Sequence, residues 1–488
     1  MTRQLSNVEV VSLLDAIHHG PELGSPIETI ATDSRGAPAD VFVAIRGTSF
    51  DSHLVIGDAL TGGCRAVVAE EPPPSDSQVP WFEVENSRRA WALLEHATRA
   101  NPTEQLEVIG ITGTNGKSTS VRMMVSILEA SGRRCGFSTT ISDNFAGPEV
   151  RSEGTTPPPS ILAAGLDSLQ NRGGKTAVIE VSSHALDQQR IAGIAFDGAL
   201  ITTIGRDHFD YHKNLAGYLR TKVKLLEMLP EGAPAVIPET LDLPEDVDLS
   251  DLSILSFSVD SETADGWAEI IEEGFEGSEV RLHLPRGEEL GLRLRQPGRY
   301  NVSNAVAVAL LARALGISLE AIVDGLEQAP SIPGRLEEVE VPVGRVFVDF
   351  AHTPDALEAL LESVRPWVVG RLHLLFGCGG GRDQGKRKVM GEVASRLADR
   401  LIVTSDNPRF EDPQKIIDET MAGVSDEAEA VDRVDRRQAI AEALTSLGDG
   451  DVLLISGKGH EDTQEIRGSF QPFDDRRVVA EYYSGEMV

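Results

Sequence analysis

The segment Val108-Ile109-Gly110-Ile111-Thr112-Gly113-Thr114-Asn115-Gly116-Lys117-Ser118-Thr119 joins an apolar run to a glycine-rich turn, a lysine and two hydroxyls. Backbone N–H groups in such a turn, at the mouth of a helix, hold phosphate oxygens. A lysine there neutralises β/γ charge, and Ser118 or Thr119 is placed to reach Mg²⁺. The general phosphate-loop pattern GxxxxGK(S/T) asks for glycine at position 111, where this chain has Ile, so the first glycine is displaced by one. A glycine turn without nucleotide is the competing reading. The order strand, Gly-Lys-Ser-Thr, amphipathic helix favours phosphate.

A second group of reactive side chains follows. In Ala177-Val178-Ile179-Glu180-Val181-Ser182-Ser183-His184 a carboxylate interrupts an apolar strand, and burying it unpaired is costly, so Glu180 needs a cation or an arginine. The next apolar run, 199–204, leads into Arg206-Asp207-His208-Phe209-Asp210-Tyr211-His212. Oxygen and imidazole ligands near a triphosphate suit Mg²⁺. His208 alone reads equally as a ligand or a satisfied core histidine, and its company with Glu180 and the phosphate loop favours the ligand. Lys222 reads as an ordinary lysine on a helix face.

These residues require elements to place them. Val121, Met124, Val125 and Leu128 follow helical spacing after the phosphate loop, with Gly132 positioned to end that helix. At about 100–200 residues per domain the chain holds about three domains. Residues 1–102 mix short strands (41–45, 66–69) with helices and end at Asn101-Pro102. Residues 103–333 alternate apolar strands with helical patterns, which predicts βαβ units and a mostly parallel sheet. Residues 334–488 contain four apolar runs, 346–348, 372–376, 401–403 and 452–455, each finishing in a polar or glycine-rich loop. Ligands in open α/β sheets bind beyond the carboxyl ends of strands, so these four ends predict one shared pocket.

Composition narrows the function classes. Lys and Arg number 45 against 77 Asp and Glu, a formal charge of −32, and nine of the basic residues are Lys. Coating nucleic-acid phosphates or anionic lipid needs basic patches, so both are excluded as main roles. An acidic, lysine-poor surface suits a concentrated-salt cytoplasm. Cys64, Cys135 and Cys378 show no CxxC spacing, which points to a reducing compartment. No apolar run is long enough for a signal peptide or a membrane span. The expectation is a soluble, cytoplasmic monomer without stable membrane insertion. Between Glu239 and Glu279 there are fourteen acidic residues and no basic one, read as a solvated surface excursion of the central domain.

Taken together, TDSR at 32–35, DVFVAIRG at 40–47 with His53, GITGTNGKST, EGTTP, EVSSHAL, RDHFDYH, NVSNA, GRLE, VDFAHTPDAL, FGCGGGRDQGKR, SDNPRFEDP and GKGHED occur in an order that closely resembles the Mur ligases. These are ATP-dependent amino-acid-adding enzymes of peptidoglycan synthesis, serving cell-wall biogenesis, cell shape and division. The likeness spans nearly the whole chain. It implies an α/β protein of three domains: a small N-terminal UDP-binding domain, a central P-loop ATPase with a mostly parallel sheet, and a Rossmann-like C-terminal domain that receives the amino acid. Within the family the chain is most similar to the branch that adds meso-diaminopimelate to a UDP-muramoyl dipeptide.

The resemblance assigns roles by position. Gly113, Thr114, Asn115, Gly116, Lys117, Ser118 and Thr119 would hold ATP phosphates. Glu180, His208 and Lys222 would ligate Mg²⁺ together with Ser118, Lys222 as a CO₂-derived carbamate. Asn301 and Asn304 would meet the base, and Arg335, Asp349 and His352 the ribose and phosphate side. Thr32, Ser34, Thr48 and Ser49 fall at the uridine nucleotide, and Thr155, Thr156, Ser182 and Arg190 at the peptide. Asp406, Asn407, Pro408 and Arg409, with Arg382, Gly457 and Glu461, would hold the amino acid, because a guanidinium grips a second carboxylate bidentately where a lysine substrate would leave it unpaired. The other reading of Arg409 is a surface salt bridge to Glu411 or Asp412. Ser52, Thr203, Phe350 and Gly381 depart from the family's usual residues without removing a proposed ligand.

The expected reaction phosphorylates a carboxylate with ATP and lets an amine displace phosphate. Rivals are a lysine-adding sibling, a folylpolyglutamate synthase-like ligase, and a P-loop switch that makes no amide. Anionic substrates on an acidic protein imply a locally basic cleft served by Lys117, Lys222, Lys458 and Lys386.

Overall fold

The computed structural model describes residues 3–485 apart from 37, 48–49, 76 and 153, so Thr48 and Ser49 lie outside the described residues. Three main sheets carry the chain. The first has the order Ile17–His19, Trp81–Glu83, Ala66–Ala69, Val41–Val43, Ile30–Ala31, parallel except for the Ile17–His19 edge. Its interior strands Val41–Val43 and Ala66–Ala69 are buried at every residue, as strands covered on both faces must be.

Eleven strands form the central sheet. Its parallel core runs Cys135–Ser138, Thr176–Glu180, Glu107–Thr112, Gly198–Ile201, Pro234–Pro238 and Ser253–Ser258. Val108, Ile109, Ile111, Val178, Ile179, Ala199 and Leu200 are all fully buried. Helices Lys117–Ala130, Arg299–Ala314 and Leu319–Gln328 cover one face. Helix Pro159–Asn171 and the segment around Val223 and Leu226 cover the other.

The acidic stretch corrects the sequence reading. From Ser253 on it is sheet rather than excursion: Ser253–Ser258 pairs parallel with Gly266–Gly274, which pairs antiparallel with Gly277–Leu284 and so with Glu288–Leu294. Phe257 and Ala268 face the core while Glu269 and Glu272 are exposed, so an apolar face lies inside an acidic sequence. The tip of that hairpin reaches the C-terminal domain. Phe275 stacks on Phe347 with ring centroids 4.8 Å apart and meets Trp367 edge-on at 5.2 Å. Arg345 lies over Phe275 and bonds Glu276 at 3.0 Å.

The third sheet has the order Glu337–Val339, Arg345–Asp349, Val452–Ser456, Leu372–Phe376, Arg400–Thr404, Ala430–Arg433, parallel after the first strand. Helices Pro354–Val364, Gly385–Leu397 and Pro413–Met421 pack on one face, and Arg436–Thr445 with Asp475–Ser484 on the other. The four predicted apolar runs are its four inner strands, so their carboxyl ends lie side by side. Among the described residues no helix is long and apolar enough to cross a membrane.

Candidate active site

Parallel register builds the first half of the site. Glu107–Thr112 lies between Thr176–Glu180 and Gly198–Ile201, with Glu180 opposite Ile111 and Ile201 opposite Thr112. The ends of three strands therefore open beside one glycine turn. Gly113 (φ 148°) and Gly116 (φ 83°) take conformations side chains resist, and a Cβ at either would strike Thr202 Oγ1 (1.9 Å) or Asn304 Oδ1 (2.4 Å). The turn is pinned at the neighbouring strand end: Thr114 N–H donates to Thr203 O at 2.7 Å and Asn115 N–H to Thr203 Oγ1 at 3.0 Å. Thr203, one of the departures from the family's usual residues, is thus a working support of the loop. Helix Lys117–Ala130 follows, with Gly132 (φ 77°) just beyond its end as predicted.

Glu180 is 1% exposed and fully engaged. Its Oε2 accepts from Ser118 Oγ (2.7 Å) and Thr140 N (2.9 Å), its Oε1 from Thr140 Oγ1 (2.9 Å), and Lys117 Nζ stands 3.9 Å away. Burial depresses the pKa of Lys117 while Glu180 and Asp207 act to raise it. Lys222 is buried, its Nζ donating to Gly113 O at 2.7 Å and lying 4.7 Å from the Tyr218 ring centre. Burial, then the charge of Lys117, push its pKa well below that of a free lysine. A neutral amine is the form able to react as a nucleophile, so what sequence spacing presents as an ordinary helix lysine is the least ordinary amine in the fold.

His208 adopts φ 54° and sits 3.3 Å from Asp207 Oδ2. Burial lowers its pKa, which keeps the imidazole neutral and available as a ligand. Burial opposes the charge of Asp207, but the positive groups that face it, His352 and His208 when protonated and then Lys386 and Lys117, outweigh it and lower its pKa. Among the described residues no three His, Cys, Asp or Glu side chains cluster closely enough to hold a metal ion by themselves. Mg²⁺ in nucleotide sites is completed by water and substrate phosphates, and Ser118, Thr140 and Glu180 beside the phosphate loop form a hard-oxygen set that fits it.

Two cavities meet at this turn. The smaller, about 210 Å³, is lined by Asn115, Gly116, Thr119, Asn301, Asn304, Arg335 and Asp349, and by Thr203, Ile204, Tyr300, Ala356 and Leu360, which the sequence reading did not select. Asn301 Nδ2 donates to Pro297 O at 2.8 Å, which orients that amide at the wall. Asp349 is a structural anchor as well as a wall: its carboxylate accepts from Leu336 N (2.6 Å) and Ala351 N (2.7 Å), tying the interdomain linker to the strand end, and burial raises its pKa.

The larger cavity, about 290 Å³, joins the two domains. Thr114, Asn115, Lys117, Thr155, Glu180 and His208 line it from one side; Arg335, His352, Arg382, Asp406, Asn407, Arg409, Gly457 and Glu461 line it from the other. All four strand-end loops of the C-terminal sheet contribute, as predicted. Lys386, expected to lend charge to the cleft, lines it, as do Thr140, Asp207, Asp210 and Asp383, to which the sequence reading gave no individual role. Asp207 and Asp210 sat within a selected motif, so the signal for them was adjacency. Lys386 Nζ donates to His352 O at 2.8 Å, and burial drives the His352 pKa down to about 4. Across the cleft Arg206 pairs with Asp383 (3.1 Å) and its N–H with Asp355 (3.0 Å), while Arg151 pairs with Asp462 (2.5 Å).

Other selected residues stand behind the wall. Thr156 Oγ1 donates to Glu180 O (2.8 Å) and accepts from Ser182 N (2.9 Å); Ser182 caps the helix Ser183–Asp187; Arg190 Nη1 donates to Thr156 O (2.9 Å). Pro408 is carried on the Arg409 loop, and Thr32 and Ser34 line neither cavity. One expectation needs correction, and one rival reading falls. Lys458 is fully buried and spends its charge on Glu461 (2.9 Å) and Thr463 O (2.6 Å), so it supports the loop rather than lending positive charge to the cleft. Arg409 pairs with neither Glu411 nor Asp412: Glu411 is taken by buried Arg387 (3.0 Å), and Arg409 Nε lies 3.2 Å from Glu465.

Comparison with known proteins agrees with this geometry. Residues 111–312 match the Mur ligase middle domain and residues 334–459 the Mur ligase glutamate ligase domain. The UDP-N-acetylmuramoyl-L-alanyl-D-glutamate–2,6-diaminopimelate ligase of Parabacteroides distasonis is 37% identical over 466 residues, covering 94% of this chain and 95% of the relative. A solved structure of a ligase with that name superposes with a TM-score of 0.66 at 27% identity over 100% of both chains. The MurF ligase of Thermotoga maritima in complex with ADP shares the fold, with a TM-score of 0.65 at 19% identity over 94% of this chain and 98% of that one.

Proposed function

The chain belongs to the Mur ligase family, and on that premise we propose that it uses ATP to join meso-diaminopimelate to the D-glutamyl carboxylate of UDP-N-acetylmuramoyl-L-alanyl-D-glutamate. The observation that carries this reading is the single cavity in which the phosphate loop and Glu180 face Arg409 and the other C-terminal strand ends. Residues 1–102 serve as the uridine-nucleotide domain, 103–333 as the ATP domain and 334–488 as the amino-acid domain.

A free carboxylate is a poor acyl donor, so it must first take the γ-phosphoryl group. Backbone N–H groups of the glycine turn and Lys117 neutralise the charge that develops on the transferred group. The adenine side fits the smaller cavity, where Asn301 and Asn304 present amides and Ile204 and Leu360 an apolar wall. Ser118 and Glu180 would hold one Mg²⁺, and His208, Glu180 and Lys222, as a CO₂-derived carbamate, would hold another; bound there, the ions would stabilise phosphoryl charge as Lewis acids. Lys222 Nζ donates to Gly113 O, and carbamylation, in which the amine nitrogen bonds the CO₂ carbon and gives up a proton, would turn that donor into an oxygen ligand. Closure of the two domains excludes water from the acyl phosphate, and Arg409 grips the distal carboxylate of the incoming amino acid while its amine attacks.

The test is direct. The protein, ATP, Mg²⁺ and the UDP-muramoyl dipeptide are incubated with meso-diaminopimelate or with L-lysine, and the product is weighed. A mass gain of one diaminopimelate, with ADP and phosphate formed in step, is expected. Lysine incorporation without diaminopimelate product overturns the substrate assignment.

A further inference from the structure

The guanidinium of Arg409 is held from behind. The hairpin Thr463–Ile466 and Ser469–Pro472 is stitched along the loop that carries it. Gln464 Nε2 donates to Asp406 O at 2.7 Å, and Glu465 N–H to Asn407 Oδ1 at 2.9 Å. Arg409 N–H donates to Glu465 O at 3.0 Å, and Arg467 N–H to Arg409 O at 2.6 Å. These bonds fix Arg409 at φ 53°, a left-handed conformation uncommon for a residue with a long side chain. The side chain then runs across a glycine loop: Nη1 donates to Gly380 O at 2.7 Å, and a Cβ at Gly379 would stand 3.0 Å from Nη1.

We infer that Glu465 is a positioning residue for the proposed reaction: its carboxylate holds the Nε edge of Arg409 so that the opposite edge of the guanidinium meets the distal carboxylate of the amino acid. This deepens the proposed function and rests on it. Arg409 lines the cavity and Glu465 does not, so the carboxylate acts through the guanidinium rather than on substrate. The pair is partly buried, with side-chain exposures of 26% and 20%, which keeps it from dissolving into solvent. With Nε paired to Glu465 and Nη1 donating to Gly380 O, the planar group is held at two points, and a bidentate contact gains from a guanidinium oriented before substrate arrives.

The experiment is a cycle of Glu465→Ala, Glu465→Gln, Arg409→Lys and the Glu465→Ala/Arg409→Lys double variant, measured for KM of each substrate and for the diaminopimelate-to-lysine preference. Glu465→Ala is expected to raise the KM for diaminopimelate about tenfold, with ATP and dipeptide KM values within about twofold. Glu465→Gln keeps an oxygen acceptor for Nε and recovers most of the loss. In the Arg409→Lys background Glu465→Ala adds little, because the group it positions is gone. An unchanged or lower KM for diaminopimelate in Glu465→Ala overturns the inference, the lower value being the sign expected of a carboxylate that merely competes with substrate. Full multiplicative effects in the double variant also overturn it. A wild-type enzyme that adds lysine and rejects diaminopimelate overturns the proposed function instead, and the cycle run with lysine still reads whether Glu465 acts through Arg409.

Discussion

Replacing Asp475 by Asn tests how the C-terminal site is held in place. Arg436 and Asp475 have side chains with 0% exposure, joined by Nε–Oδ1 at 2.8 Å and Nη2–Oδ2 at 2.7 Å. The same guanidinium donates to Ser405 O (3.3 Å) and Ser456 O (3.1 Å), the residues immediately before Asp406 and Gly457. An amide in place of the carboxylate faces the guanidinium with an N–H₂ group and leaves a buried cation without its charge partner. Breaking such a pair from one side costs about 3–5 kcal/mol. For a unit of roughly 150–250 residues each kcal/mol moves Tm by about 2–4 °C, so unfolding of the C-terminal domain should shift down by about 6–20 °C. Calorimetry of the full chain and urea unfolding measure this. The double variant Arg436→Met/Asp475→Leu removes both charges and should regain most of the lost stability, since an apolar pair of similar volume is often neutral or better. Its KM for diaminopimelate should stay raised, because the Ser405 and Ser456 carbonyls have lost their donor. An Asp475→Asn protein within about 1 kcal/mol of wild type would refute the reasoning that this pair is a desolvated, mutually dependent unit.

Other expectations follow from single features. Lys222→Ala should lower kcat by about a hundredfold or more while nucleotide binding, followed by fluorescence titration, stays within severalfold; full turnover would reject the carbamate. Both ring nitrogens of buried His96 lack partners among the described residues, and burial pushes its pKa down to about 4 from an ordinary 6.5. The unfolded chain therefore binds a proton that the folded one refuses: stability is complete above pH 6.5 and falls by about 1.4 kcal/mol per unit as pH drops toward 4. His96→Phe should flatten that part of the urea midpoint against pH, and parallel curves would exclude His96 as the cause. Phe275→Ala should loosen the grip of the central hairpin on the C-terminal domain, widening the solution scattering envelope and raising the KM for ATP; an unchanged envelope would show that the linker alone sets the domain angle.

What residue order determined is whatever depends on near neighbours. Glycines at 113 and 116 before Lys117 specify the turn that leads into a helix, and Gly132 ends that helix. The four apolar runs of the C-terminal region predict four strands with reactive loops at one end, because a parallel sheet aligns its carboxyl termini. The apolar positions Phe257 and Ala268 were legible too, but the density of acidic residues around them masked the strands. Tertiary structure decided the rest. Lys222 is an exceptional amine only because the fold leaves it 1% exposed beneath Gly113, and Lys458 gives nothing to the cleft because Glu461 and Thr463 consume its charge. The pairs Arg151–Asp462 and Arg206–Asp383 cross a domain boundary, and Arg409 meets Glu465 through a hairpin. Spacing along the chain sets which backbone groups a turn can offer; the charge state and direction of a side chain depend on desolvation and on partners supplied by distant segments, and those exist only once the domains have packed.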